Sequence, residues 1–156
     1  MSVDKVKKYL EQWGMQDKVM EFPVSSATVE EAAKALHCEG KRIAKTLSFK
    51  VDDKPILIVM AGDAKVDNHK YKSHFNKKAS MLRSEEVEAW IGYPVGGVCP
   101  FGVSDQVEIY LDESLRRFET VFPACGSRNS AIEMTMAELE ACSGARTWID
   151  VSKLAE

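Results

Sequence analysis

Six consecutive residues, Ile56-Leu-Ile-Val-Met-Ala61, are apolar without a break. A strand with one face in water alternates apolar and polar residues, so an unbroken run of this length reads as a strand covered on both faces. It is far too short to cross a bilayer. The polar triplet Asp52-Asp53-Lys54 separates it from residues 42–51, which also have strand character. The two segments therefore read as a β-hairpin, residues 42–51 and 55–61. A chain built around such a strand must lay other elements over both sides of one sheet.

The remaining segments supply those elements. Val3, Val6, Leu10 and Trp13 recur at helical spacing, and Gly14 is a natural stop. Thr28-Val-Glu-Glu31 and Thr135-Met-Ala-Glu138 are capping boxes, predicting helices over 28–36 and from 135 to about 144. Helices are also expected at 67–76 and 84–91, and Asp112 is placed to cap a short one over 113–118. Strands are expected at 18–24, 106–111, 119–124, 130–134 and 146–151. Strands and helices do not alternate regularly, so the expected class is α+β, with a mixed, mostly antiparallel sheet and helices outside it. A length of 156 residues suits one domain, 1–156.

Two features break the ordinary pattern. The stretch Gly92-Tyr-Pro-Val-Gly-Gly-Val-Cys-Pro-Phe-Gly102 holds four of the nine glycines, two of the five prolines and no charge. Helices and central strands exclude that mixture, so it is a shaped loop lying against something. It either fills a corner of the core or offers backbone N–H groups to a ligand. The second feature is Lys45. Period-two alternation places it on the same strand face as Ile43, Leu47 and Phe49. An ammonium on an apolar face needs an anion or a wet cavity, unless it protects a sheet edge or snorkels to the surface.

Composition narrows the chemistry. With 21 Lys and Arg against 24 Asp and Glu, the net charge is −3, which argues against a DNA-binding protein. The local clusters Lys41, Arg42, Lys45 and Lys65, Lys70, Lys72, Lys77, Lys78 suit contact with a phosphate or two. The N-terminal Met-Ser-Val-Asp-Lys lacks the layout of a signal peptide, and no apolar run approaches membrane length, so a cytoplasmic protein with no membrane partner is expected. Cys38, Cys99, Cys125 and Cys142 form no C-x-x-C pair and are expected as free thiols. His69 and His74 have no companions that complete a metal site, so neither metal nor cofactor is expected. Gly40-Lys-Arg-Ile-Ala-Lys45-Thr46 approaches a phosphate-binding loop, but Ala44 stands where glycine is required. No G-x-S-x-G elbow is present. Cys99 could be a nucleophile or a small hydrophobe; buried free cysteines are usually the latter.

In order along the chain, Ile43-Ala-Lys45-Thr-Leu-Ser-Phe49, Ile58-Val-Met-Ala-Gly-Asp63, Gly96-Gly-Val-Cys-Pro100 and Leu111-Asp-Glu-Ser resemble the YbaK/ProX aminoacyl-tRNA editing family. The resemblance runs from the first helix to about Gly144. It implies a barrel-like central sheet flanked by helices. It also implies hydrolysis of the ester that joins a wrong amino acid to tRNA, typically tRNA(Pro), without a cofactor. The implied partners are the 3′ aminoacyl-adenosine end of tRNA and, as a candidate, prolyl-tRNA synthetase. The family's strand lysine falls on Lys45, and its G-x-x-x-P loop falls on Gly96 to Pro100. The implied catalytic set is Lys45, Gly96, Gly97 and Pro100, with Val98, Cys99, Gly126 and Ser127 around the substrate. The N–H groups of Gly96 and Gly97 would hold the ester oxygen. Two departures bear on specificity. The segment Cys125-Gly-Ser-Arg-Asn129 keeps only the glycine of the family's pattern, and Ala137 beside Glu138 stands where cysteine-specific members carry an aspartate. A non-catalytic module of the same fold, binding tRNA 3′ ends or a synthetase, is the competing expectation.

Overall fold

The computed structural model describes residues 2–154. Helix α1 (Ser2–Leu10) buries Val3, Val6 and Leu10, continues as a 3₁₀ turn to Trp13, and stops at left-handed Gly14. Strand β1 (Met20–Glu21) precedes α2 (Val29–Leu36). At the start of α2, Thr28 and Glu31 form the expected capping box. Strands β2 (Ile43–Val51) and β3 (Lys54–Ala61) form the expected hairpin, registered from Ala44 opposite Ala61 to Val51 opposite Lys54. Its turn residues Asp52 and Asp53 both have positive φ, the geometry whose twist matches that of the strands it joins.

Strand β4 (Ala64–Val66) leads to α3 (Asn68–Phe75), then α4 (Ser84–Ile91). The chain returns in β5 (Glu108–Asp112), a 3₁₀ turn and β6 (Thr120–Pro123). It ends through β7 (Ser130–Ala131), β8 (Met134–Thr135), α5 (Met136–Ser143), β9 (Thr147–Ile149) and β10 (Ser152–Leu154). Although α3 is polar in sequence, it is anchored by Tyr71, whose ring lies 5.2 Å from that of Phe49 and 4.7 Å from that of Phe75.

The main sheet runs β8-β6-β2-β3-β5-β9 and curls into a half-barrel carrying the helices. Ribbons β1/β7 and β4/β10 complete it. Among the described residues, β2/β3, β6/β8 and the two ribbons are antiparallel, while β2/β6, β3/β5 and β5/β9 are parallel. The α+β expectation of a mixed sheet flanked by helices holds, but within the main sheet three of the five pairings are parallel and two antiparallel, because the long connections after β3 and β5 bring strands back in the same direction. At the centre, every residue from Ile56 to Ala61 is at most 3% exposed, as the unbroken apolar run requires. The parallel β3/β5 pairing forces a crossover over residues 62–107, and this crossover carries the Gly/Pro loop. Asp112 does more than cap. Fully buried, it accepts from Ser114 N–H (2.9 Å), Val151 N–H (3.0 Å) and Ser152 Oγ (2.6 Å), so the end of β5 holds the start of β10.

One ion pair ties β2 to the start of α4. The Glu86 carboxylate accepts from Lys50 Nζ (3.1 Å) and from the Arg83 N–H (2.9 Å). These bonds hold its carboxyl down at about 2, the Arg83 backbone N–H being the largest cause. A carboxyl depressed in the fold contributes stability above its ordinary value of 4.5, and that contribution is lost as pH falls through the folded value. Glu86→Gln should therefore flatten the fall of the urea midpoint between about pH 4.5 and pH 2. An unchanged acid limb would contradict this assignment.

Candidate active site

Strand β2 is paired to β3 along one whole edge from Ala44 to Val51. Its other edge meets β6 only at Ile43 and Ala44. Further along, that edge meets the segment Ser80–Leu82: the Ser48 carbonyl accepts from Leu82 N–H (3.1 Å), and Lys50 N–H donates to the Ser80 carbonyl (2.8 Å). Between these pairings the sheet is open, and a cavity of about 450 Å³ lies against the gap. Its walls are the chain entering α2 (Ser26 to Val29), β2 (Ile43 to Ser48), Met81 and Leu82, the Gly/Pro loop, and the segments around Phe122 and Ser130. Lys45 lines it as expected, and so do its β2 neighbours of both parities. The curled strand borders the cavity along its edge instead of presenting a single face.

The loop is built to approach this cavity. Helix α4 ends at left-handed Gly92. Tyr93 is fully buried and donates its hydroxyl to the Phe101 carbonyl, closing the base of the loop. Gly97 N–H donates to the Pro94 carbonyl (2.9 Å) around Gly96, whose φ is 94°, the glycine position of a type II turn. Gly97 N–H is thus engaged by the turn and is not free for the ester oxygen, unlike the role that the family resemblance implies for it. Among the described residues, the N–H groups of Gly96, Val98 and Cys99 have no hydrogen-bond partner. Gly96 and Val98 line the cavity. Cys99 and Pro100 are buried beneath the loop and are not among its lining residues.

The segment 125–129 backs this loop. A Cβ on Gly97 would lie 2.7 Å from Ser127 N and 2.8 Å from the Gly126 carbonyl carbon, so the two backbones pass in direct contact. Arg128 Nε donates to the Val95 carbonyl (3.1 Å), and the Arg128 carbonyl accepts from Ser26 Oγ (3.2 Å). Gly126 and Ser127 therefore sit behind the loop, facing a neighbouring outer cleft with Asp4 and Glu21. Ser127 donates to Ser130 Oγ (2.7 Å), and Ser130 is the member of that pair on the cavity wall. Glu138 completes the second capping box, accepting from Thr135 N–H at 2.9 Å.

Lys45 is half-buried, and among the described residues its ammonium has no hydrogen bond or ion pair. Burial lowers its pKa from the usual 10.5, partly opposed by Asp63. Asp63 is itself committed to Arg117, whose Nη1 lies 3.0 Å from its Oδ2; this bond holds the carboxyl below its usual range. The lysine charge is therefore available to an anion entering the cavity.

Cys99 is fully buried, with Sγ 4.0 Å from the Phe101 carbonyl oxygen, and burial pushes its thiol up to about 12. Cys125 and Cys142 are also buried, with their thiols raised by burial, while Cys38 is half-exposed. A thiol-reactive chromogenic reagent at pH 8 should therefore titrate Cys38 alone in the native protein and all four cysteines after unfolding. Rapid modification of Cys99 in the native state would contradict the inert reading.

The chain is similar to known proteins over most of its length. Residues 24–142 match the profile of the aminoacyl-tRNA editing domain. The chain is 53% identical over 154 residues to the uncharacterized protein YwhH of Bacillus subtilis (strain 168), covering 98% of each. It is 33% identical over 132 residues to EbsC of Enterococcus faecalis (strain ATCC 700802 / V583), named as a candidate Cys-tRNA(Pro)/Cys-tRNA(Cys) deacylase, covering 81% of this chain and 80% of that one. Among solved structures, a candidate trans-editing enzyme for prolyl tRNA synthetase superposes with a TM-score of 0.87 at 31% identity, covering 97% of both chains.

Proposed function

This chain belongs to the aminoacyl-tRNA editing domain family, and from that premise we propose that it is a trans-editing deacylase. It hydrolyses the ester of a mischarged tRNA, with tRNA(Pro) carrying a small non-cognate amino acid as the first substrate to test. The observation that carries this reading is the meeting of an unpaired lysine and a loop of free N–H groups at one cavity.

The chemistry needs little else, because an aminoacyl ester is already activated. The Lys45 ammonium holds the terminal phosphate or ribose and fixes the ester against the loop. The N–H groups of Gly96 and Val98 receive the carbonyl oxygen and the negative charge that develops on it; one such donor is worth about 3–4 kcal/mol in acyl transfer. Water, oriented by the vicinal ribose hydroxyl of the substrate, adds to the carbonyl carbon. The C–O bond to the ribose then breaks, and a proton from the water ends on the departing ribose oxygen. The products are the free amino acid and tRNA with a free 3′ end. Neither a side-chain triad nor a metal is required. Cavity size sets specificity, and it discriminates weakly among small side chains, at about 1–3 kcal/mol per methylene.

A net charge of −3 favours weak intrinsic affinity for tRNA, with a synthetase, prolyl-tRNA synthetase first, supplying much of the grip. The test is a deacylation panel: tRNA(Pro) charged with Ala, Cys, Ser or Pro, beside charged tRNA(Ala) and tRNA(Cys). Release from at least one mischarged member, with Pro-tRNA(Pro) spared, is expected. Binding across the panel with no release would establish the non-catalytic module instead.

A further inference from the structure

Backbone N–H and C=O groups point to alternate edges along a strand. Ser48 and Lys50 aim theirs at the edge of β2 away from β3, where they meet Leu82 and Ser80. The main-chain groups of Thr46, two residues earlier, aim at the same edge. Pairing with β6 has already ended at Ala44. Neither the Thr46 N–H nor its carbonyl has a partner on this edge among the described residues. Its side-chain Oγ1 is also buried and unpartnered. Buried polar groups are rarely left so. Here the Thr46 hydroxyl is such a group, and it stands beside two unpartnered main-chain groups of the same residue, at the place where the sheet opens on the cavity lined by Thr46.

The gap centres on Thr46. Ala44 is paired to β6 on one side of it and the Ser48 carbonyl is taken by Leu82 on the other, so among the described residues Thr46 has both main-chain groups of this edge unengaged. In an antiparallel pair, two opposed residues exchange N–H and C=O bonds with each other. The ligand that fits is a single amino acid presenting one N–H donor and one carbonyl acceptor.

We propose that Thr46 determines specificity for the free α-amino group of the substrate. Its carbonyl and Oγ1 accept from the α-ammonium, and its N–H donates to the carbonyl of the same aminoacyl group. That carbonyl oxygen keeps a second lone pair for the Gly96–Val98 loop. The assignment rests on the deacylase reading and deepens it: the site selects esters of unblocked α-amino acids and disfavours N-acylated ones.

Non-hydrolysable amide analogues test this without turnover. Binding of 3′-alanylamino-3′-deoxyadenosine and of its N-acetyl derivative is measured by calorimetry for wild type, Thr46→Val and Thr46→Ser. Valine keeps the shape and removes only the hydroxyl. Thr46→Val is expected to weaken the free-amine analogue about tenfold, the scale of one hydrogen bond to a charged group. It should change the N-acetyl analogue less than about twofold, with Thr46→Ser close to wild type. Its thermal midpoint should equal or exceed that of wild type, because an orphaned hydroxyl is removed. Equal weakening of both analogues, no weakening of either, or no binding of either to wild type would overturn the assignment. Failure of the deacylase reading looks different: the analogues bind with the expected Thr46 dependence, yet no charged tRNA is hydrolysed.

Discussion

Replacing Lys45 by methionine should lower kcat/KM for amino-acid release by at least about 100-fold, the scale of losing one group that stabilises an acyl-transfer transition state. The fold should survive and gain stability. Among the described residues Lys45 has no ion-pair partner in the cavity it lines, and burial lowers its pKa. A lysine depressed in the folded state carries its cost wherever it is charged in both states, below the folded value. The cost fades as pH rises towards and past the ordinary 10.5, where the amine is neutral in both states. Lys45→Met should therefore melt above wild type at pH 7, with the difference closing as pH rises towards 10.5. Lost activity with raised stability marks a residue held for its ligand. Full turnover in this variant would remove the lysine from the mechanism.

Gly97→Ala should combine two losses. Its φ lies outside the left-handed region, so the backbone itself accepts alanine. The obstacle is contact: the new methyl would sit 2.7 Å from Ser127 N and 2.8 Å from Ser127 Cα, and backbone atoms cannot swing aside. The loop must lift from the 126–127 segment, at an overpacking cost of about 1–3 kcal/mol. Lifting it moves the N–H groups of Gly96 and Val98, which line the cavity. A rate loss of about 10²–10³, as for removal of an oxyanion donor, is expected. Urea denaturation and single-turnover release measured on one preparation check both effects. Destabilisation with full activity would separate the loop from catalysis.

Where the fold was legible in sequence, the signal was local. Thr28 with Glu31 and Thr135 with Glu138 fix two helix starts within one turn of chain. The unbroken run from Ile56 fixes the central strand. What escaped depends on distant partners. β4 and β10 are three residues each and pair Ala64 with Leu154 across the chain, so neither carries a periodic pattern of its own. Residues 130–134 read as one strand but divide into β7 and β8, which pair with β1 and β6 respectively. The strand expected over 146–151 stops at Ile149, where Asp112 takes Val151 N–H and turns the chain into β10.

The site divides along the same line. Lys45 and Gly96-Gly97 stood out because a charge on an apolar strand and paired glycines between prolines are anomalies of composition. Thr46 did not, since threonine is an ordinary strand residue. Its importance appears only when β6 leaves β2 after Ala44, a tertiary event. The hold of Arg128 on the Val95 carbonyl and the commitment of Gly97 N–H to Pro94 are likewise invisible without coordinates.

Deacylation is tested most sharply by a single-turnover time course of alanine release from Ala-tRNA(Pro) with wild-type protein in excess, beside Pro-tRNA(Pro) and a protein-free control. Release from Ala-tRNA(Pro) well above spontaneous hydrolysis is expected, while Pro-tRNA(Pro) stays at the control rate. Binding of Ala-tRNA(Pro) with release no faster than the control, repeated with the Cys and Ser esters, would contradict a deacylase.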